Sequence, residues 1–105
     1  MQPPVVELLW WEGCPSTEEA LNLLRGAMSE LGLDPSTIRV TEIQTDDEAR
    51  SAGFVGSPTI LVDGADVQPP DPDDEIGLTC RIYRSRDGRV SPLPDPEDLK
   101  AALSR

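Results

Sequence analysis

The sequence predicts an α/β domain in which about three helices pack on a four-stranded mixed sheet. Three observations predict this fold class. The apolar run at residues 5–11 is typical of a central strand that is buried on both faces. After it, helical and β-branched stretches follow in the order helix, strand, helix, strand, strand, helix. At 105 residues the chain has the size of one domain, so we treat residues 1–105 as a single unit.

The first part of the chain predicts a βαβ unit. After the first strand, apolar residues recur at helical spacing from Pro15 to Leu31. Ser16 and Glu19 are placed to form a capping box, and Gly32 is suited to end the helix. Residues 38–43 have the β-branched content of a second strand. A strand, a crossover helix and a second strand follow one another here.

The second half predicts four further elements. A capping-box pattern at residues 45–48 opens a short helix that Gly53 ends. Residues 59–62 form an apolar strand, closed by the turn signal Asp-Gly. A fourth strand is expected at residues 78–84, and a final helix at residues 96–103 begins with an Asp-Pro cap.

An acidic, proline-rich segment separates the last two strands. Residues 68–75 combine three prolines with four acidic residues, a composition too polar to bury and too rich in proline for regular structure. We therefore expect residues 67–77 to form an exposed, partly mobile loop. A solvated connection is the simpler interpretation of this loop, and recruitment of a basic partner is the alternative.

Charge and residue usage exclude several classes of partner and site. Twenty acidic and nine basic residues give a formal net charge of −11, which repels nucleic-acid phosphates and anionic membrane surfaces. No apolar stretch could span a membrane, and the N-terminal residues lack a secretory-signal pattern, so a cytoplasmic location is expected. Without histidine the usual zinc sites and imidazole-based mechanisms cannot be built. We expect no cofactor and no resident metal.

Cys14 is the candidate nucleophile. It stands between a buried strand and the start of a helix, where unpaired backbone N–H groups and the helix dipole stabilise a thiolate. Acidic neighbours at positions 12, 18 and 19 oppose this effect because negative charge disfavours a thiolate. The alternative is that Cys14 is a small buried core residue.

Two distant motifs resemble those of the thioredoxin family. Residues 11–17, Trp-Glu-Gly-Cys-Pro-Ser-Thr, look like its active-site turn, and residues 56–59, Gly-Ser-Pro-Thr, look like its cis-proline loop. The resemblance implies a thioredoxin-like fold. It also implies a cis peptide bond before Pro58 and a loop that faces Cys14.

The same resemblance implies a substrate-binding surface. Backbone groups of Ser57, Pro58 and Thr59 would hold an extended substrate or a mixed disulfide. Because Trp10 and Trp11 alternate in direction along the strand, one of them enters the core. The resemblance puts Trp11 at the rim of the active site, and core packing is its alternative role.

Position 17 departs from the thioredoxin pattern. Thioredoxins carry Cys-x-x-Cys, whereas the fourth position here is Thr17, so dithiol exchange within one turn is impossible. Monothiol glutaredoxin-like proteins are a precedent for chemistry at one N-terminal cysteine. Thr17 could donate its hydroxyl hydrogen to the Cys14 sulfur, or it could be an ordinary residue of the first helical turn.

Cys80 is the candidate partner thiol. If residues 78–84 pair with residues 59–62 as a simple hairpin, Cys80 lies at the strand end remote from Pro58, at a separation of roughly 10 Å. That separation would prevent a disulfide with Cys14. The long loop at residues 67–77 could instead carry the chain back across the active face.

Three functions stay open from the sequence. The wider pattern, including Leu-Thr-Cys-Arg-x-Tyr at residues 78–83, is similar to small bacterial thioredoxin-like proteins, some of which are labelled alkylmercury lyase-like. The first hypothesis is thiol oxidoreductase chemistry at Cys14, on a protein or small-molecule thiol or disulfide. The second is binding of Hg, Cu(I) or an organomercurial by Cys14 and Cys80. The third is a redox-inert adaptor that binds a partner beside Pro58.

Overall fold

A four-stranded mixed sheet and three α-helices form the framework of the computed structural model, which describes residues 3–69 and 73–104. The elements in chain order are β1 (Val6–Trp10), α1 (Thr17–Glu30), β2 (Arg39–Glu42), α2 (Asp46–Ala52), β3 (Thr59–Val62), β4 (Ala65–Asp66), β5 (Tyr83–Arg84), β6 (Val90–Ser91) and α3 (Pro96–Leu103). A 3₁₀ turn at Pro35–Thr37 precedes β2. The predicted mixed α/β class is confirmed. None of the helices described is long and apolar enough to cross a membrane.

The central strand β1 organises the sheet, whose strand order is β2-β1-β3-β4. β1 runs parallel to β2, with Leu8 opposite Val40, and antiparallel to β3, with Leu8 opposite Ile60. The parallel pair with α1 between its strands is the predicted βαβ unit. Because β1 and β3 are antiparallel, the C-terminal end of β1 lies beside the N-terminal end of β3.

Two apolar clusters cover the two faces of the sheet. The larger one joins β1 and β3 to α1 and α3 and includes Leu8, Leu24 and Leu99. The smaller one contains Leu9, Ile43, Ala49 and Phe54. Successive residues of β1 point to opposite faces, which is why one strand contributes to both clusters.

The helix ends agree with local capping signals at α2 and α3 but not at α1. The Thr45 hydroxyl accepts the Glu48 N–H at 3.1 Å, and Gly53 ends α2 in the left-handed conformation. The Asp95 carboxylate caps α3 as predicted. The capping box predicted for α1 is wrong, because the Ser16 side chain makes no cap hydrogen bond. α1 therefore begins at Thr17, after a turn at residues 15–16.

The predicted fourth strand is a second error. Residues 78–84 do not join the sheet as one strand, because β4 already occupies the edge beside β3. The chain reverses at Asp63 and Gly64, both at positive φ, so the next two residues pair back onto β3 at once. Only Tyr83–Arg84 is a strand, paired with Val90–Ser91 in a separate hairpin.

The acidic loop is anchored at its first residues, contrary to the prediction that all of residues 67–77 are exposed. Val67 is buried in the larger cluster. The Gln68 side chain makes hydrogen bonds of 2.8 and 2.9 Å with the backbone of Arg84. Residues 73–76 are exposed as expected, and residues 70–72 lie outside the described part of the chain.

Candidate functional site

The loop before β3 is the scaffold of the site. The Ser57–Pro58 peptide bond is cis, as the resemblance of residues 56–59 to a cis-proline loop implied. The Ser57 N–H donates to the Thr79 carbonyl, and the Ser57 carbonyl accepts the Arg81 N–H, both at 2.8 Å. These bonds form a parallel bridge between Ser57 and Cys80. Residues 79–81 thus cover the backbone edge at which the resemblance to thioredoxins implied a bound substrate.

Cys14 lies behind this loop in the turn between β1 and α1. Its side chain is 7% exposed, and its thiol donates to the Ser57 carbonyl oxygen at 3.2 Å. Its backbone N–H donates to the Trp11 carbonyl at 3.0 Å. The predicted approach of the proline loop to Cys14 is therefore confirmed, and the thiol sits inside the protein rather than on its surface.

Cys80 is the exposed member of a thiol pair. Its thiol lies within hydrogen-bonding reach of Cys14, and both cysteines are free. Partial desolvation, the charge of Cys14 and its hydrogen bond together raise the pKa of the Cys80 thiol. The hairpin that would have kept Cys80 remote from Pro58 is wrong. The chain instead returns over Ser57 before β5 begins, and the Cys80 thiol thereby interacts with the Cys14 thiol.

A buried ion pair fixes the segment that carries Cys80. The Arg81 guanidinium is 4% exposed and binds both Asp66 carboxylate oxygens, at 2.7 and 3.1 Å. It also donates to the Thr59 hydroxyl and to the Gln68 carbonyl. A bidentate pair of this kind sets position as well as charge. β4 therefore holds the residue next to Cys80 in one orientation.

Tyr83 connects the same segment to the proline loop. Its hydroxyl donates to the Pro58 carbonyl at 2.6 Å, and its ring lies beneath the Arg81 guanidinium at 4.5 Å. The side chain is fully buried, and this burial raises the pKa of the phenol despite the nearby guanidinium. A neutral phenol can continue to donate the hydrogen bond throughout the physiological range.

Gly56 permits the close approach of the two backbones. A Cβ at this position would lie 2.7 Å from the backbone N and Cα of Arg81 and 3.0 Å from the carbonyl carbon of Cys80. Its φ of +145° is also a conformation that side chains rarely adopt. Glycine is therefore required where the Cys80 segment crosses the loop.

Thr17, Trp11 and Thr59 are the remaining predicted site residues. Thr17 is the first residue of α1, and its buried hydroxyl has no hydrogen-bond partner among the described atoms, so it does not donate to Cys14. The Trp11 side chain packs against the smaller cluster and covers Gly13, and the Trp11 backbone N–H donates to the Ser57 hydroxyl at 3.0 Å. Thr59 is buried and donates to a loop carbonyl at 2.6 Å.

Sequence reasoning missed the residues that hold the thiol pair together. Arg81 and Tyr83 stood in the Leu-Thr-Cys-Arg-x-Tyr pattern without an assigned role, and Asp66 was not singled out. An arginine and a tyrosine near a cysteine indicate that the cysteine segment is held in place only when an acidic side chain lies close enough to pair with the arginine. The turn at residues 63–64 provides that placement, since it directs Asp66 back along β3.

Two depressions meet at Cys80. The larger, of about 350 Å³, has mainly apolar walls, and its lining includes Pro15, Cys80, Ile82, Val90 and Pro92. The smaller, of about 220 Å³, has a more polar lining that includes Val55, Asp74, Glu75, Thr79 and Cys80. Within residues 3–69 and 73–104, no group of three or more acidic or cysteine side chains is arranged to hold a metal ion.

Comparison of the chain with protein-family models, with curated proteins and with solved structures found no significant match.

Proposed function

We propose that this chain is a thiol–disulfide oxidoreductase whose dithiol consists of Cys14 and Cys80 in a thioredoxin-like domain. The observation that carries the proposal is the interaction between the two thiols, which the Ser57 backbone brings together by bonding to the Cys14 thiol and bridging to Cys80. The second thiol that a Cys-x-x-Cys turn would supply locally is supplied here by a distant segment. The proposal therefore replaces monothiol chemistry with a complete redox pair.

The reaction exchanges one disulfide for another. In the reducing direction the Cys80 thiolate attacks one sulfur of a substrate disulfide. The substrate S–S bond breaks, a protein–substrate disulfide forms, and the first substrate thiolate takes a proton from solvent. Cys14 then gives up its proton, attacks the Cys80 sulfur and displaces the second substrate thiolate, which is protonated in turn. The substrate gains two electrons and two protons, and the protein retains a Cys14–Cys80 disulfide.

The different exposure of the two thiols determines which of them attacks the substrate disulfide first. Cys80 is exposed, whereas the Cys14 thiol is buried and donates to the Ser57 carbonyl. An attacking sulfur must reach the substrate sulfur, so Cys80 forms the mixed disulfide and Cys14 resolves it. This order reverses the one expected from the sequence, in which Cys14 attacks first. The raised pKa of Cys80 makes exchange accelerate as the pH increases through the alkaline range.

The test is the fate of reduced protein treated with 2-hydroxyethyl disulfide and analysed by mass spectrometry under denaturing conditions. Wild type should end as an internal disulfide, and Cys14→Ser should stop at a stable mixed disulfide on Cys80. Cys80→Ser should react slowly. Wild type that accumulates mixed disulfide without an internal one would contradict the dithiol proposal. A Cys80→Ser variant that reacts at the wild-type rate would contradict the order of attack.

Soft-metal binding is the second candidate function, and the same contact favours it. Two adjacent thiolates are the ligands that Cu(I) and similar soft ions prefer. Anaerobic titration of reduced protein with Cu(I) should then show one tight site that either single serine variant abolishes. Survival of the affinity in Cys80→Ser would exclude the two-thiolate site. The adaptor hypothesis is less favoured, because residues 79–81 cover the edge of Ser57 that it needs.

A further inference from the structure

We propose that the substrate of this thiol pair is a disulfide in a polypeptide that carries an apolar side chain and a basic side chain near the reactive sulfur. The proposal rests on the function proposed above, because it names a substrate for the same exposed thiol. Its basis is the different chemistry of the two depressions that flank Cys80.

The apolar side of the cleft lies between the start of α1 and the β5–β6 hairpin. Ile82 is 70% exposed and Val90 is 64% exposed, the two highest values among the large apolar side chains described. Both line the depression of about 350 Å³, which Pro15 and Pro92 also border, and Ile82 lines the smaller depression too. Covering these side chains would release water from apolar surface beside the attacking sulfur. The volume suits an apolar side chain of a peptide.

The acidic side of the cleft lies beyond Cys80. Asp74 and Glu75 line the smaller depression, and both are exposed. Arg81 lines it as well, but its guanidinium is directed into the protein and paired with Asp66, so the exposed Glu75 carboxylate contributes negative charge at this side. The net charge of −11 adds a field of the same sign. A lysine or arginine of the substrate is the complement to this side.

This arrangement discriminates between classes of disulfide. A small anionic disulfide such as oxidised glutathione brings several carboxylates to an acidic cleft and covers little of its apolar surface. A basic polypeptide gains both contacts at once, and attraction between unlike charges also raises its rate of encounter. Cys80 stands where the two depressions meet, so the substrate sulfur is presented to it when both contacts are made.

The experiment compares two peptide disulfides that differ at one position. Each has a leucine on one side of its cysteine and either a lysine or a glutamate on the other, and the rate of oxidation of reduced protein is measured. At low ionic strength the lysine peptide should react about tenfold faster, and high salt should reduce the ratio. Equal rates for the two peptides at low salt would overturn the proposal.

Substitutions of exposed cleft residues test the acidic contact and the apolar contact separately. Glu75→Lys should remove most of the preference for the lysine peptide, whereas Ile82→Ser should slow both peptides. Val40→Ser is the matched control, because Val40 is 49% exposed on β2, away from the cleft, and should change neither rate. An Ile82→Ser variant that reacts like Val40→Ser would overturn the apolar contact.

The reaction with uncharged 2-hydroxyethyl disulfide distinguishes a failure of the proposed function from a failure of the substrate inference. If it fails to oxidise the wild-type dithiol to an internal disulfide, the proposed function is wrong. If it succeeds while the two peptides react equally, the function stands and the substrate inference alone is wrong.

Discussion

Replacing Gly56 by alanine tests whether the crossing of the two backbones controls the thiol pair. The added Cβ would lie 2.7 Å from two backbone atoms of Arg81, and ordinary contact begins at 3.4 Å. The Cys80 segment must therefore retreat by roughly 0.7 Å. Such a movement breaks the hydrogen bond from the Arg81 N–H to the Ser57 carbonyl and separates Cys80 from Cys14.

The expected cost has two components. Alanine at φ +145° costs about 1–3 kcal/mol of conformational strain. Loss of one buried backbone hydrogen bond adds about 1 kcal/mol. We therefore expect Gly56→Ala to lower the free energy of unfolding by about 3 kcal/mol. Oxidation of the dithiol to a disulfide in a glutathione or dithiothreitol redox buffer should also become less favourable.

Gly53→Ala is the matched control for this experiment. Gly53 also has a positive φ, of +65°, but a Cβ there would meet nothing within 4 Å. Its substitution should cost only about 1–2 kcal/mol, and it should leave the redox equilibrium unchanged. Urea unfolding and the redox titration measure the two quantities. If Gly56→Ala matches Gly53→Ala in both, the close approach does not position Cys80 and the reasoning is refuted.

Three further substitutions probe the groups around the pair. Asp66→Ala leaves the Arg81 guanidinium buried without its carboxylate, so urea unfolding should show a loss of about 3–5 kcal/mol, and a loss below 1 kcal/mol would contradict the buried pair. Tyr83→Phe removes the hydroxyl that donates to the proline carbonyl and should cost about 1–3 kcal/mol by the same assay, with no loss if that carbonyl is satisfied otherwise. Cys14→Ala removes a charge and a hydrogen bond that raise the pKa of Cys80, so the midpoint of its alkylation should move to lower pH; an unchanged midpoint would mean that the thiols do not interact.

Elements with local signals could be predicted from the sequence. The Asp95 cap and the following proline define the start of α3, which spans the predicted residues 96–103. The apolar run of β1 and the left-handed end of α2 at Gly53 are likewise local. At α1 the helical spacing of apolar residues predicted the helix correctly but placed its start at Pro15 instead of Thr17. The chain must first complete the turn that contains Cys14.

The position of Cys80 could not be predicted in the same way. It depends on which segment fills the sheet edge beside β3, and a tight turn at residues 63–64 gives that edge to β4. It depends also on the Arg81–Asp66 pair, which joins residues whose proximity exists only in the folded chain. The predicted hairpin between residues 59–62 and 78–84 took account of neither the turn nor the ion pair. It therefore placed Cys80 far from Cys14, whereas the two thiols interact in the fold.

The separation of Cys14 and Cys80 along the chain links redox state to folding. A disulfide between them would close a loop of about 67 residues, whereas a Cys-x-x-Cys disulfide closes only a turn. Closing a loop of this length removes enough entropy from the unfolded chain to stabilise the fold by about 4 kcal/mol. Oxidation should thus stabilise the whole domain.

Urea unfolding of oxidised and reduced protein, followed by tryptophan fluorescence, measures this coupling. The oxidised form should unfold at a clearly higher urea concentration, and Cys80→Ser, treated with the same oxidant, should show no such increase. Equal midpoints for oxidised and reduced wild type would mean that the disulfide strains the fold by as much as it restricts the unfolded chain. By linkage, the same free energy favours the disulfide in the folded domain over the disulfide in the unfolded chain. A stabilising disulfide would therefore make the dithiol of the folded protein a stronger reductant than the same dithiol in the unfolded chain. The position of Cys80 would then determine both the stability of the domain and its reducing power.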